Sequence, residues 1–306
     1  MYKDGVIMIL EYNVFINKLN KTLFEGSSAD LLNKIVNSPD RYVGIFRPTK
    51  PKTKLIQNIT QSHEIKFGDA LESIFEDYFR ALGFEMLPKR LFARETKDNK
   101  DYNIDQLIKK NNIIYLIEQK VRDDHDSTKK VGQFSNFEAK YFEVANKYNG
   151  NKVIPIMWFI DDSLRKNKNY YLNQMKEMAE FYGCEPKLYY GNEMFAESEN
   201  GINDFPSKMW NEIIEYLTKW KETLPDMPEV NFDANSDEVF EELKDLPPFI
   251  YRKLFENDDI KEQILPILFT KGIVLKKLKE YFSCKDEVAY KNIANEIEEY
   301  IKERFG

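Results

Sequence analysis

Ile113-Ile114-Tyr115-Leu116-Ile117-Glu118-Gln119-Lys120 is the stretch on which the reading of the chain turns. Five consecutive apolar residues fit a strand covered on both faces, and the run ends abruptly on a carboxylate. Strand side chains alternate, so Glu118 and Lys120 share a face at the strand's end. Upstream, residues 102–108 form another extended run, separated from the first by Lys109-Lys110-Asn111-Asn112, which suits a hairpin turn. A turn closing there brings Asp105 beside Glu118. Two carboxylates at a strand edge can hold Mg²⁺, which takes a few hard oxygens and keeps its remaining waters. A neighbouring lysine can orient or deprotonate a water, or stabilise charge on a phosphate. The competing reading is a solvated strand face, because an E-x-K step is common by chance. Against it, charges emerging from a buried strand need a partner, and a metal ion is the simplest.

Working outward, residues 68–82 place Ala70, Ile74, Phe75, Tyr78 and Phe79 on one helical stripe, with Gly83 as a stop. Residues 85–94 alternate like a strand, and residues 133–148 repeat Phe134, Phe137, Tyr141 and Val144 at helical spacing. An apolar strand over 152–160, a helix over 170–182 and a short strand over 187–190 follow. The order predicts an α/β (α+β) fold with a mixed central sheet flanked by helices. Residues 249–305 predict a C-terminal all-helical subdomain, with segments at 251–256, 261–269, 273–282 and 288–305. Residues 46–54, basic and Pro-containing, read as a loop, and residues 223–248 as a Pro-containing linker with one short helix. The expected organisation is an N-terminal region over 1–65, a core over 66–222, the linker, and the helical subdomain over 249–306.

Composition excludes other classes. With 306 residues, 22 Phe and 18 Tyr, the chain has ample material for a core. Twelve Gly and twelve Pro are too few for a fibrous protein, and two cysteines are too few for a disulfide scaffold, which suits a cytoplasmic protein. No run is long enough for a signal peptide or a membrane span. The formal charge of −7 is unevenly spread: residues 221–306 carry 13 basic and 20 acidic side chains, whereas residues 87–130 carry 11 basic and 8 acidic ones. An acidic total therefore does not exclude a basic groove. His63 and His125 are the two histidines, too few for a strong zinc site, and Asp123, Asp124 and Asp126 lack the spacing of an EF-hand. Neither a Gly-rich phosphate loop nor a Ser hydrolase elbow is present.

The order αββαβ, with Asp105, twelve intervening residues and Glu118-Gln119-Lys120, resembles the PD-(D/E)XK nuclease superfamily, to which most type II restriction endonucleases belong. The likeness covers roughly residues 66–190, and Ile104 stands where the superfamily usually has Pro. It implies that Asp105 and Glu118 are metal ligands and Lys120 the water-activating or charge-stabilising lysine. It also implies a further acid from the preceding helix, Glu72, with Glu76 as runner-up. The segment from Glu118 to Gln133 is similar to the post-catalytic stretch of bacterial restriction enzymes, which makes Arg122, Ser127, Thr128, Lys129, Lys130 and Gln133 candidates for DNA contacts. Phe137 and Tyr141, spaced from Gln133 as in some exonuclease branches, fit a core stripe better. Arg47, Lys50, Lys52 and Lys54 could clamp the backbone. The function implied is a Mg²⁺-dependent type II restriction endonuclease acting on double-stranded DNA as a homodimer, in a system with a cognate DNA methyltransferase. The alternatives are a repair or junction-resolving nuclease of the same superfamily, or a non-catalytic DNA-binding module.

Overall fold

A computed structural model describes residues 2–3, 6–97, 99–122 and 127–306. The chain divides into two compact units, each built from separate stretches of sequence. The first comprises residues 1–19 and 67–223, and the second residues 20–66 and 224–306.

The first unit is built on a five-stranded mixed sheet in the order Glu85–Met86, Gln106–Lys110, Ile113–Lys120, Lys152–Phe159, Lys187–Tyr190. The first three strands are antiparallel neighbours and the last three are parallel ones. The hairpin turns on Asn111 at φ 55° and pairs Lys110 with Ile113. Asn tolerates this left-handed conformation better than most residues. The parallel strands are joined through the Ser127–Lys147 and Lys168–Tyr182 helices. These two helices cover the face that carries Leu107, Ile114, Leu116, Met157 and Phe159, through Phe134, Phe137, Tyr141, Tyr171 and Met175. On the other face Trp158 packs edge-on against Phe75, 4.6 Å between ring centroids, and against Trp210 of the Ser207–Lys221 helix. Both long parallel strands are thus buried on two sides, as their unbroken apolar runs require.

Four local expectations are corrected. The strand expected over 85–94 is two short ones, Glu85–Met86 in the main sheet and Arg90–Leu91 outside it. The extended run expected over 102–108 breaks at Ile104 and Asp105: Tyr102–Asn103 pairs with Arg90–Leu91, and the main-sheet strand begins at Gln106. The helix expected over 68–82 extends over Pro51–Ala81, so Lys52 and Lys54 are helical and the loop ends at Lys50. Proline suits the first helical position because its missing N–H is unsatisfied there anyway. A mid-helix glycine such as Gly68 costs only about 1 kcal/mol, against which Ala70, Leu71, Ile74, Phe75, Tyr78 and Phe79 are all buried. Gly83, at φ 80°, stops the helix as expected. The helix expected over 133–148 begins at Ser127.

The second unit is helical. Its core combines Leu31, Leu32 and Ile35 of the Ser27–Asn37 helix with Ile250, Leu254, Leu275, Leu278 and Ile297 from the C-terminal helices. The stretch read as a linker contributes Val230, Phe232, Val239 and Leu243 to this core. Buried Asp233 accepts from the backbone N–H groups of Lys271, Gly272 and Val274, capping the Ile273–Ser283 helix. Among the described residues no helix is long and apolar enough to cross a membrane.

Candidate active site

The register of the hairpin assembles the site. Gln106 pairs with Ile117, so the next position back, Asp105, reaches the end of the long strand. Asp105 Oδ2 accepts from Gln119 N at 2.8 Å and from Lys120 Nζ at 3.3 Å. Lys120 Nζ also donates to Glu118 Oε1 at 2.8 Å. Asp105, Glu118 and Lys120 therefore meet at one point. The parallel neighbour fixes the strand's end, since Ile160 N donates to Lys120 O at 2.7 Å.

A fourth group completes the cluster and was missed by the sequence reading. Lys140 Nζ, from the Ser127–Lys147 helix, donates to Glu118 Oε2 at 2.7 Å, with both side chains below 10% exposed. Two carboxylates and two ammonium groups thus neutralise one another at the buried end of the sheet. The signal for Lys140 was present: it stands three residues after Phe137 and four before Val144, on the helix's apolar stripe. A lysine at such a position needs a buried anion.

The electrostatics follow from burial and from these pairs. Burial, and then the neighbouring Glu118 charge, push the Asp105 carboxyl above its usual range despite Lys120 and Lys140. Burial would also raise Glu118, but Lys120 and Lys140 together outweigh it and hold its carboxyl low. Lys120 is raised, because attraction to Glu118 and Asp105 exceeds the burial that opposes its charge.

Glu72 is paired with Lys89, another residue the sequence reading missed, and its backbone O accepts from Gln106 Nε2 at 2.6 Å. Burial raises the Glu72 carboxyl against the opposing Lys89, with a smaller push from the charge of Asp105. Glu76 shares Lys89 at 3.6 Å and binds Arg80 at 2.6 Å. Among the expected DNA contacts, Arg122 is exposed just past the strand, and Thr128 and Lys129 are exposed on the first turn of the following helix. Lys130 Nζ lies 4.8 Å over the Tyr170 ring. Gln133 accepts from Tyr171 OH at 3.1 Å, while its buried Nε2 has no partner. Phe137 and Tyr141 are core residues. Lys50 and Lys52 belong to the second unit and are exposed. The Ser127 side chain, Asp123, Asp124, His125 and Asp126 lie outside the described residues.

Among the described residues no three His, Cys, Asp or Glu side chains gather as a metal-binding group. The Asp105–Glu118 pair nevertheless suits one cation, because a single positive atom, Lys120 Nζ, already reaches both carboxylates at 3.3 and 2.8 Å. Hard oxygens so placed fit a small divalent ion that keeps several waters.

No curated protein and no solved structure matched the chain. Residues 84–221 match the family described as type II restriction endonuclease, HinfI. That segment contains Asp105, Glu118, Lys120 and Lys140, and it begins after Glu72. Residues 84–221, with the mixed sheet at their centre, are thus similar to the restriction-endonuclease domain of that family.

Proposed function

We propose that this chain is a Mg²⁺-dependent, site-specific endodeoxyribonuclease that hydrolyses phosphodiester bonds in duplex DNA, as the nuclease of a restriction system. The reading rests on Asp105 and Glu118 being joined by one Lys120 ammonium at the end of a buried strand, inside the domain matched by the family. Asp105 and Glu118 would hold the ion, which would supply a more acidic water and a Lewis acid for the phosphate. Lys120 donates to a non-bridging phosphate oxygen and offsets the negative charge that grows as water attacks phosphorus and one P–O ester bond breaks. Lys140 is a positioning residue: it keeps Glu118 ionised and fixes one of its two oxygens. Glu72 stands ready to orient water, held by Lys89. Arg122, Thr128, Lys129 and Lys130, which follow the long strand in sequence, would carry the charge and donors for phosphate contacts. A palindromic recognition sequence calls for a homodimer, and a host bearing such an enzyme needs a methyltransferase of the same specificity.

Digestion of plasmid DNA tests this. The protein should give discrete bands with Mg²⁺ and none with EDTA, and Lys120→Ala should abolish cutting while the protein, though less stable, stays folded and binds DNA. Random degradation or branch-specific cutting would point instead to a repair or junction-resolving nuclease. Identical behaviour of wild type and Lys120→Ala in every nuclease assay would remove the enzymatic reading.

A further inference from the structure

A β-turn in the second unit holds two large apolar side chains out in solvent. Arg47 N donates to Gly44 O at 3.1 Å, which makes Ile45 and Phe46 the two central residues of the turn. They are 91% and 92% exposed, more than any other large apolar residue described. Central turn positions favour Gly, Pro, Asn, Asp and Ser, each for a backbone reason that neither Ile nor Phe satisfies. The turn is firmly based: Tyr42 and Val43, just before it, are buried in the helical core, and their N–H groups donate to Pro39 O at 2.8 and 3.2 Å. From the other side Arg47 Nε donates to Asp40 O at 2.8 Å. Residues 39–54 contain Arg41, Arg47, Lys50, Lys52 and Lys54 against a single carboxylate, Asp40, although residues 221–306 of the chain carry 20 acidic side chains.

We propose that Ile45 and Phe46 are a wedge that enters duplex DNA between stacked base pairs, with the surrounding cations on the flanking phosphates. The inference rests on the DNA-cleaving reading above and concerns a part of the chain outside the family match. An apolar partner surface would be served by the two side chains alone, whereas five cations against one carboxylate in the flanking sequence complement a polyanion. Apolar wedges of this kind open a base step and kink the duplex, and a phenyl ring can stack on the exposed base.

The test uses the full-length protein in EDTA, to prevent cutting, and a duplex in which 2-aminopurine replaces adenine throughout one strand. Unstacking raises the fluorescence of this base. Wild type at saturation should raise it. Ile45→Ser/Phe46→Ser should bind about tenfold more weakly, the loss expected from removing one stacking contact, and should give no rise at saturation. Phe46→Trp should keep the rise. Lys50→Ala/Lys52→Ala should keep the rise and lower the slope of log affinity against log salt by about 2. Wild-type binding without a rise, or a Ser variant equal to wild type, overturns the wedge while leaving the nuclease reading standing. A Ser variant that loses only self-association in sedimentation, with DNA binding unchanged, replaces the wedge by a contact between copies. Wild type that binds no DNA either in EDTA or with Ca²⁺ in place of Mg²⁺ removes the nuclease reading and this one with it.

Discussion

Lys140→Met tests the account of the buried charge cluster most sharply. The substitution keeps an unbranched stem of similar length and removes only the ammonium. In the wild type, Asp105 and Glu118 are balanced by Lys120 and Lys140; in the variant a single lysine serves two carboxylates. At the 2.7 Å separation of Lys140 from Glu118, Coulomb's law with an effective dielectric constant of about 20 gives roughly 6 kcal/mol of attraction. Part of this is recovered because Lys140 no longer has to be desolvated, so we expect a loss of about 3–5 kcal/mol, the usual cost of leaving a buried charge without its partner. Tryptophan fluorescence during urea denaturation measures it directly, because Trp158, Trp210 and Trp220, the only three tryptophans, all lie in the first unit. The double variant Glu118→Gln/Lys140→Met leaves Asp105 and Lys120 balanced, and should regain more than half of the loss. Mg²⁺ should narrow the gap between wild type and Lys140→Met, since the ion would neutralise the same carboxylates. A single-variant loss below about 1 kcal/mol, or a double variant in which the two losses simply add, would refute the claim that charge balance holds this site together.

Three further outcomes can be checked separately. Glu212 accepts from Ile9 N, Leu10 N and Tyr78 OH at 3.0, 2.8 and 3.0 Å; Glu212→Leu strands three donors, should cost the first unit about 3 kcal/mol, and should show as faster amide exchange at residues 9 and 10. Asp233→Ala should cost the second unit about 1–2 kcal/mol through its lost cap, with amide protection falling first at Lys271, Gly272 and Val274. Burial, and then Lys66, hold His63 below its ordinary value of 6.5. The folded state then binds a proton less readily than the unfolded one, so this contribution to stability is present above 6.5 and is lost as pH falls through the lower folded-state value. NMR titration should find a histidine midpoint below 6.5 that is absent from His63→Gln; a normal midpoint for His63 would contradict its half-buried placement.

The long strand shows how far local sequence carries. Five apolar residues ending on Glu118 specify a strand buried on both faces, and a period of two places Glu118 and Lys120 together whatever surrounds them. Likewise the Asn111–Asn112 turn sets the hairpin register, and that register is what puts Asp105 within reach of Lys120. These are short-range constraints, decided within a few residues of one another. Lys140 is different. Its place on an apolar helical stripe said that something must neutralise it, but its partner stands 22 residues away, across a helix–sheet interface, and only the packing of that helix selects Glu118. The same holds for Lys89 and Glu72, and for Glu212, whose carboxylate caps backbone more than 200 residues distant. The helix start at Pro51 was equally hidden: residues 46–54 read as a loop on their prolines and charge, and of residues 51–67 the helix buries only Leu55. Local patterns thus determined the two long strands, the hairpin register and the carboxylate pair, while the groups that neutralise those carboxylates were chosen by tertiary packing, because a buried charge is satisfied by whatever the fold brings near in space.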